Sequence, residues 1–579
     1  MKVLLLHPDD RLRPFRTKDS FDLIVDLSRA PHSTYEQWSR EADCPVISVY
    51  DFAEEIEDLH HTRELLQFGM GQMVDEWGID WWDVMSLMIV PELQQLMLLS
   101  RLAKQLPPGC ELHSTHPNSV AAALRTLSGG KLMNLKHDSS STFRRVRRYI
   151  DVFSRLDTAQ LRQVLQDKFD PEHRIRRRLA RPRTGSRRPV VLLPSAYVNV
   201  SRMAVSYARL IPDHNFLLVC ARNSGRLKSL PPHVSMTSLD PYFTSTNQRD
   251  FNSVLEGWRN LKQLLINRAE EFNTADATGM LRRIPFLVRW GMAVRDAWSQ
   301  VFETENVIAC LCADDTNPYS RIPLILANKR EIPALACHHG ALDFRMAMKT
   351  NYADWYLPKG DMERDYLLRQ CAIAPNKITV GGPPHKNTLV QPMAKVGDKP
   401  WLVFFTEPYQ TSGWRVDEVY REILPRLSSL AKTCGLQLVF KLHPFDSEKG
   451  HRRLLRRYLP HQESEMLILW GPPTADLWQR TRFAVTVEST VSLECTELGI
   501  PVFLCAWLRD PFSGYVQQFE RFGAGVVLDS PQQISDIPRL LESHTPKSSE
   551  ESKLWQAMEP EKLRQLLAGT YSLRTASTA

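Results

Sequence analysis

Short apolar runs alternate with longer stretches whose apolar positions recur every three or four residues, and this alternation restarts twice along the chain. The first block covers 1–150. Its runs at 3–6, 23–27 and 46–50 read as strands, because aliphatic and β-branched residues suit a pleated surface. The stretch 91–106 carries Leu93, Leu96, Leu99 and Leu102 at helical spacing. Strands alternating with helices predict a parallel sheet. Trp77, Trp81 and Trp82 cluster in this block and are expected in core or inter-domain packing rather than on a sugar platform.

The second block, 189–390, repeats the pattern with strands at 189–194, 216–220, 307–312, 334–337, 355–357 and 378–380 and long helices at 251–268 and 286–303. The third, 400–545, repeats it again, with strands at 401–405, 436–442, 467–470, 483–487 and 502–505. Helices at 417–434, 448–459, 475–480 and 491–498 separate them, a doubly wound pattern of about five strands. Pro392, Gly397 and Pro400 mark a hinge at 389–400. Residues 151–188 read as a basic helical linker, and 546–579 as a C-terminal helix and tail. The predicted class is α/β: two Rossmann-like domains facing each other, preceded by an additional α/β N-terminal domain. Such domains bind ligands in the crevice at the carboxyl ends of their strands.

Composition narrows the function. The chain has 579 residues, 43% of them hydrophobic and 24% charged, which suits large ordinary cores. The net charge of +7 leaves 73 basic residues nearly balanced by 66 acidic ones, so bulk charge does not call for nucleic acid. Ten cysteines lie scattered with no CxxC pair, as expected of reduced, buried thiols in a cytoplasmic protein. The first residues do not read as a signal peptide, and no apolar run reaches the ~18 residues of a membrane span. The basic segment 144–188 is either a solvated linker or a peripheral contact with anionic lipid head groups or an anionic glycan on the inner face of the membrane. No aromatic residues interleave the arginines of its two basic runs, 144–148 and 173–188, which argues against nucleic acid.

Candidate chemistry lies where strands end. The 436–442 strand delivers Lys441-Leu442-His443-Pro444, with Lys441 and His443 on one side and Pro444 stopping the strand. There His443 is a donor to a phosphate oxygen, an imidazolium that protonates a leaving group, or a structural turn residue. The 483–487 strand delivers Glu488-Ser489-Thr490 at a helix start. These residues are either N-caps or an open anion cradle, and Glu494 one turn on is either a ribose contact or solvated. The 307–312 strand delivers Asp314, Asp315, Asn317 and Arg321. The 334–337 strand delivers His338-His339-Gly340-Ala341, where adjacent side chains are expected on opposite sides. His339 is either a general base or a hydrogen-bonded structural histidine. A metal held with Asp314 or Asp315 lacks the familiar i,i+4 histidine spacing, so none is expected. Thr406-Glu407-Pro408, Thr411-Ser412-Gly413 and Gly381-Gly382-Pro383-Pro384-His385 are either crevice lining or plain turns, and no P-loop motif occurs.

Several of these motifs together resemble a known family. They are Asp315-Thr316-Asn317-Pro318 with Arg321 and His339-Gly340, then Ala353-Asp354 with Lys377-Ile378-Thr379-Val380-Gly381-Gly382-Pro383, then Lys441-Leu442-His443-Pro444 and Glu488-Ser489-Thr490 with Glu494 and Gly499-Ile500-Pro501. The set is similar to GT-B-fold bacterial surface and capsular polysaccharide glycosyltransferases, the branch with Kdo transferases, sialyltransferases and teichoic-acid polyol-phosphate transferases. The likeness spans about 300–545 and leaves 1–150 unmatched.

The resemblance implies a metal-independent, inverting transferase that needs no cofactor. It would move a sugar from a nucleotide-sugar donor to a surface-glycan or lipid-linked acceptor. It implies Lys441, His443, Pro444, Ser489, Thr490, Glu494 and Thr406 around the donor phosphate. His338, Gly340, Asn317 and Arg321 would lie on the acceptor side, and His339, His443 and Asp315 would be catalytic. The family's acceptor-side base is often a carboxylate in an acidic-Gly motif; here His338-His339-Gly340 stands in that place. The alternatives are a nucleotide-sugar epimerase of the same fold, a polyol-phosphate transferase, or a non-catalytic nucleotide- or glycan-binding protein.

Overall fold

The computed structural model describes residues 1–8, 10, 20–115, 118–135, 185, 188–244, 247–383, 399–409, 413–444, 446–460, 466–543 and 553–570. Three wholly parallel sheets organise them. The N-terminal sheet comprises β1 (Lys2–Leu6), β2 (Leu23–Asp26), β3 (Val46–Ser48), β4 (Glu111–Ser114) and β5 (Lys131–Asn134), in the order β3-β2-β1-β4-β5. The middle sheet comprises β6 (Val190–Ser195), β7 (Phe216–Cys220), β8 (Val234–Ser238), β9 (Val307–Cys312), β10 (Ala334–Ala336) and β11 (Trp355–Tyr356), in the order β11-β10-β9-β6-β7-β8. The third comprises β12 (Trp401–Phe405), β13 (Gln437–Lys441), β14 (Leu467–Leu469), β15 (Thr481–Thr486), β16 (Val502–Cys505) and β17 (Val526–Leu528), in the order β14-β13-β12-β15-β16-β17.

Every order reverses once, between β1 and β4, between β6 and β9, and between β12 and β15. Each sheet therefore has a switch point where a crevice opens at the strands' carboxyl ends. The middle and third units face each other in the GT-B manner, with the N-terminal α/β unit added.

Burial explains why the central strands were legible. All of Phe216–Cys220 and Trp401–Phe405 are buried, because helices cover both faces of a parallel sheet. The N-terminal and middle units share one continuous apolar core. Trp81 and Trp82 lie in it, and Trp82 stacks on Trp258 with ring centroids 6.2 Å apart and planes at 18°. Two buried arginines reinforce this junction. Arg295 bonds Asp75 at 2.5 Å and Asp250 at 2.7 Å, and Arg321 bonds Asp83 at 2.5 Å.

The structure departs from the sequence reading in two places. Residue Ile378 makes a single bridge to Tyr356 instead of starting a strand. The Gly381–Pro383 turn receives the C-terminal segment: Gly382 bridges Ala557, and the Trp555 indole donates to the Pro383 carbonyl at 2.8 Å. That turn is a docking point for returning chain, while Pro384 and His385 lie outside the described residues, as do Thr411, Ser412 and the 144–188 segment apart from Gly185 and Arg188. No helix among the described residues is long and apolar enough to cross a membrane.

Candidate active site

The middle and third domains meet at their carboxyl-end loops. The position a Gly340 Cβ would take lies 3.5 Å from the Thr490 methyl, so the loop after β10 touches the helix start after β15. Tyr515 donates to Asp343 at 3.2 Å, and the Gln518 amide donates to the Leu342 carbonyl at 3.1 Å. Lys359 holds this loop from behind, donating to the carbonyls of His338 at 3.0 Å and Gly340 at 2.7 Å.

On the third-domain side, Lys441 ends β13 and is buried. Its ammonium donates to the carbonyls of Leu442 at 3.1 Å and Gly471 at 2.5 Å, which uses two of three N–H bonds. Burial, and then the charge of Arg202, push its pKa down to about 8, against the opposing pull of Glu494. Arg202 belongs to the middle domain, in the helix Val198–Ala208, and its side chain is exposed. A cation from each domain therefore faces the same gap. Half-buried His443 completes the group. Burial and Lys441 lower its pKa to about 4, so at neutral pH it is a neutral imidazole. That leaves the imidazolium option without its proton at neutral pH, so the positive charge at this gap is that of Lys441 and Arg202. Sequence reasoning missed Arg202, which lies in a loop-to-helix stretch that showed nothing of its partner across the cleft.

Glu494 lies beside Lys359 and Lys441, and burial lifts its carboxyl to about 7 even against those two charges. Glu494 gains charge as pH rises through about 7, and Lys441 loses charge through about 8, so affinity for an anion falls with both steps. Calorimetric titration with pyrophosphate from about pH 6 to about pH 9 should show this decline, with Glu494→Gln removing the lower step. A flat profile would contradict the placement of both groups.

The expected cradle at Ser489 and Thr490 is only partly open. The Glu407 carboxylate accepts the backbone N–H of Val487 at 3.1 Å and of Glu488 at 2.7 Å, and the Thr486 hydroxyl at 2.9 Å. Glu407 thus bridges the β12/β15 switch point with an anion of the chain's own. Burial raises it to about 7, and burial with the Glu407 charge raises Glu488 as well. Ser489 and Thr490 remain at the cleft face, half-buried, at the start of the helix Val491–Glu497. Thr406 does not reach the cleft as a ligand contact. It is buried, accepts the His443 N–H at 2.9 Å and donates to Asp446 at 2.5 Å, which fixes the direction of His443-Pro444.

On the middle-domain side the two histidines do not point apart. β10 ends at Ala336, so the strand alternation no longer governs them. Their rings lie 4.8 Å apart at 32°, and both face Asp314, with His338 Nε2 at 3.6 Å and His339 Nδ1 at 4.0 Å from its oxygens. Asp314 is anchored by the Thr316 N–H at 2.9 Å, the Thr316 hydroxyl at 2.6 Å and the Asn317 amide at 3.0 Å. Burial alone would raise its carboxyl, but the two rings and Thr316 hold it well below the usual carboxylate range. Burial, and then His338, push His339 down to about 3, so its ring is neutral at pH 7.

Asp314, His338 and His339 bring one ligand atom each within 4.8 Å of one another, the spacing of a possible metal site. The Gly340 N–H bonds His338 Nδ1 at 3.3 Å, which favours the proton on Nε2. In that tautomer the Nε2 hydrogen is on the side of Asp314, but at 3.6 Å neither it nor His339 Nδ1 at 4.0 Å makes a hydrogen bond to the carboxylate.

Asp315, expected to be catalytic, and Arg321 and Asn317, expected on the acceptor side, are tied into the scaffold. Asp315 is buried, and one of its oxygens is bonded to Lys349 at 2.6 Å. Arg321, also buried, spends its charge on Asp83 of the N-terminal unit and donates to the Thr350 carbonyl at 3.0 Å. Asn317 caps the helix Pro318–Lys329 and steadies Asp314.

No family model matches this sequence, and no curated protein matches it. Among solved structures, the chain is similar to a Methanocaldococcus jannaschii UDP-GlcNAc 2-epimerase in complex with UDP-GlcNAc and UDP, at 11% identity over 66% of this chain and 99% of that one, TM-score 0.42. It is also similar to S. aureus MnaA with UDP, at 10% identity over 66% and 97%, TM-score 0.43. A third is the lipopolysaccharide outer core galactosyltransferase WaaB, at 13% identity over 66% and 100%, TM-score 0.36. At these scores the likenesses carry no argument, and the fold rests on the three sheets themselves.

Proposed function

We propose that this protein is an enzyme that binds a nucleotide-activated sugar across the cleft and breaks the bond between the anomeric carbon and the donor phosphate. The observation that supports this most is the facing of Arg202 and Lys441 from opposite domains, with His443 beside them. The Arg202 charge lowers the Lys441 pKa, and a phosphate bound beside both would relieve that repulsion. In the reaction the departing phosphate keeps the bonding electron pair. Lys441, Arg202 and the His443 N–H stabilise its growing charge, the task a divalent metal would otherwise perform. Ser489 and Thr490 add polar contacts on the same face, and Glu494 accepts hydroxyls of the bound ligand.

His339, neutral at pH 7 and with its Nδ1 4.0 Å from the Asp314 carboxylate, is the proton acceptor. In one reading it removes a proton from the carbon next to the anomeric centre as the phosphate leaves with the bonding pair, giving an unsaturated sugar; return of a proton to the other face of that carbon and re-addition of the phosphate oxygen at the anomeric carbon complete the isomerisation, which makes the enzyme a nucleotide-sugar epimerase. The contact between Gly340 and Thr490 favours this reading, because it brings the His339 loop onto the donor side. In the second reading His339 takes the proton of an acceptor hydroxyl and the enzyme is a glycosyltransferase. Its 29% exposed side chain favours that one, since a second substrate can reach the ring.

Incubation with UDP-, CMP- and GDP-sugars, followed by chromatography and proton NMR, separates them. An isomerised sugar formed from donor alone selects the epimerase. Product only when a glycan acceptor is added selects the transferase. Tight binding with no product in either arm would contradict catalysis altogether.

A further inference from the structure

We propose that the N-terminal unit is a brace: it locks the third domain to the middle domain, so the cleft is held assembled without a ligand. The unit has the sheet order of a ligand-binding domain, but the chain itself fills the place a ligand would take. At the β1/β4 switch point, His7 Nε2 lies 2.8 Å from the Ser114 hydroxyl, and the Asn118 amide lies 3.3 Å from His7 Nδ1. Over the neighbouring ends of β1 and β2 sits Arg415 of the third domain, buried.

All five guanidinium N–H donors of Arg415 are used. Nε and one Nη2 hydrogen grip the Asp26 carboxylate at 2.8 and 2.7 Å. The others reach the carbonyls of His7 at 2.8 Å, Asp10 at 2.8 Å and Pro8 at 3.1 Å. A planar fork with every donor satisfied has one orientation, so it fixes direction as well as distance.

The backbone repeats the link. The Arg29 N–H donates to the Gly413 carbonyl at 2.9 Å, and the Arg415 N–H donates to the Arg29 carbonyl at 2.7 Å. The Arg29 guanidinium lies 4.3 Å from the Trp414 ring centre. Ser33 with Glu422 at 2.7 Å and Arg509 with Glu55 at 2.9 Å widen the contact.

The other face of the same unit is fused to the middle domain through the shared core around Trp82 and Trp258. A packed apolar core does not slide, so the N-terminal and middle units move as one body. The third domain meets this body at the cleft loops, where Ala341 and Met362 pack into its own apolar core, and at the Arg415 junction, a separate point of attachment that opposes swinging about the first. This assignment does not depend on which reaction the cleft performs.

Single-molecule energy transfer in the full chain tests it, with dyes attached through non-natural residues at exposed Leu264 in the middle domain and Leu467 in the third. The unaltered chain should give one narrow distance distribution. Arg415→Met should broaden it about twofold or add a second population. Asp26→Asn keeps the side-chain shape, removes the charge, and should act in the same direction should Arg415→Met fail to fold. Distributions in the variants that superimpose on the unaltered one, with native circular dichroism, would overturn the proposal.

Discussion

Lys441→Ala should lower turnover of a nucleotide-sugar substrate by about 10²–10³-fold, the usual cost of removing one preorganised group that stabilises developing negative charge. The expectation follows from how the ammonium is held. Two carbonyls fix two of its hydrogens, which leaves one N–H for a bound phosphate. Its pKa of about 8 keeps it mostly protonated at neutral pH, and bound phosphate would raise that value further. The loss should fall mainly on kcat, because the charge it answers grows as the bond breaks. Lys441→Arg should recover only part of the rate, since a planar guanidinium cannot make the same two carbonyl contacts. A Lys441→Ala enzyme that turns over within about threefold of the unaltered one would place the phosphate elsewhere.

The second large effect concerns stability. Arg295→Met should destabilise the joined N-terminal and middle units by about 3–5 kcal/mol, because it strands Asp75 and Asp250 in the core without a counter-charge. Asp75 is also bonded by the Trp81 indole at 2.8 Å and by the Ile79 N–H at 2.8 Å, so it cannot turn to water without breaking the junction. The triple change Arg295→Met, Asp75→Asn, Asp250→Asn should recover much of the loss by removing the stranded charges. Urea unfolding followed by tryptophan fluorescence reads both, since Trp81, Trp82 and Trp258 report on this core. Equal loss in the single and triple variants would mean that packing volume, not charge, holds the junction.

The central strands were legible because burial on both faces makes them continuous apolar runs. The strands that escaped are short, and three are mixed: Glu111-Leu112-His113-Ser114, Lys131-Leu132-Met133-Asn134 and Val234–Ser238, while Val526-Val527-Leu528 is apolar but only three residues long. Three of these four form sheet edges, where one side meets water and no apolar run is needed. At the site, Lys441 and His443 could be read because Pro444 ends an apolar strand beside them. Asp314 and Asp315 could not be told apart. Neighbours at a strand's end face opposite ways, and only the register of β9 decides which one meets the histidines. Arg321 looked like an acceptor contact because its partner, Asp83, lies 238 residues away. Glu407 stayed open between crevice lining and a plain turn for the same reason, since its partners at Val487 and Glu488 become neighbours only when β12 pairs with β15.

Calorimetric titration of CMP, CDP, UDP and GDP into the full chain and into its Arg202→Ala, Lys441→Ala and double variants tests the cleft most directly. The account predicts that at least one nucleotide binds and that each single variant weakens it by about 10-fold or more. It also predicts a double variant that loses less than the sum of the two, because both cations hold one phosphate. Nucleotide affinity unchanged by either substitution, or the absence of binding by all four, would contradict it.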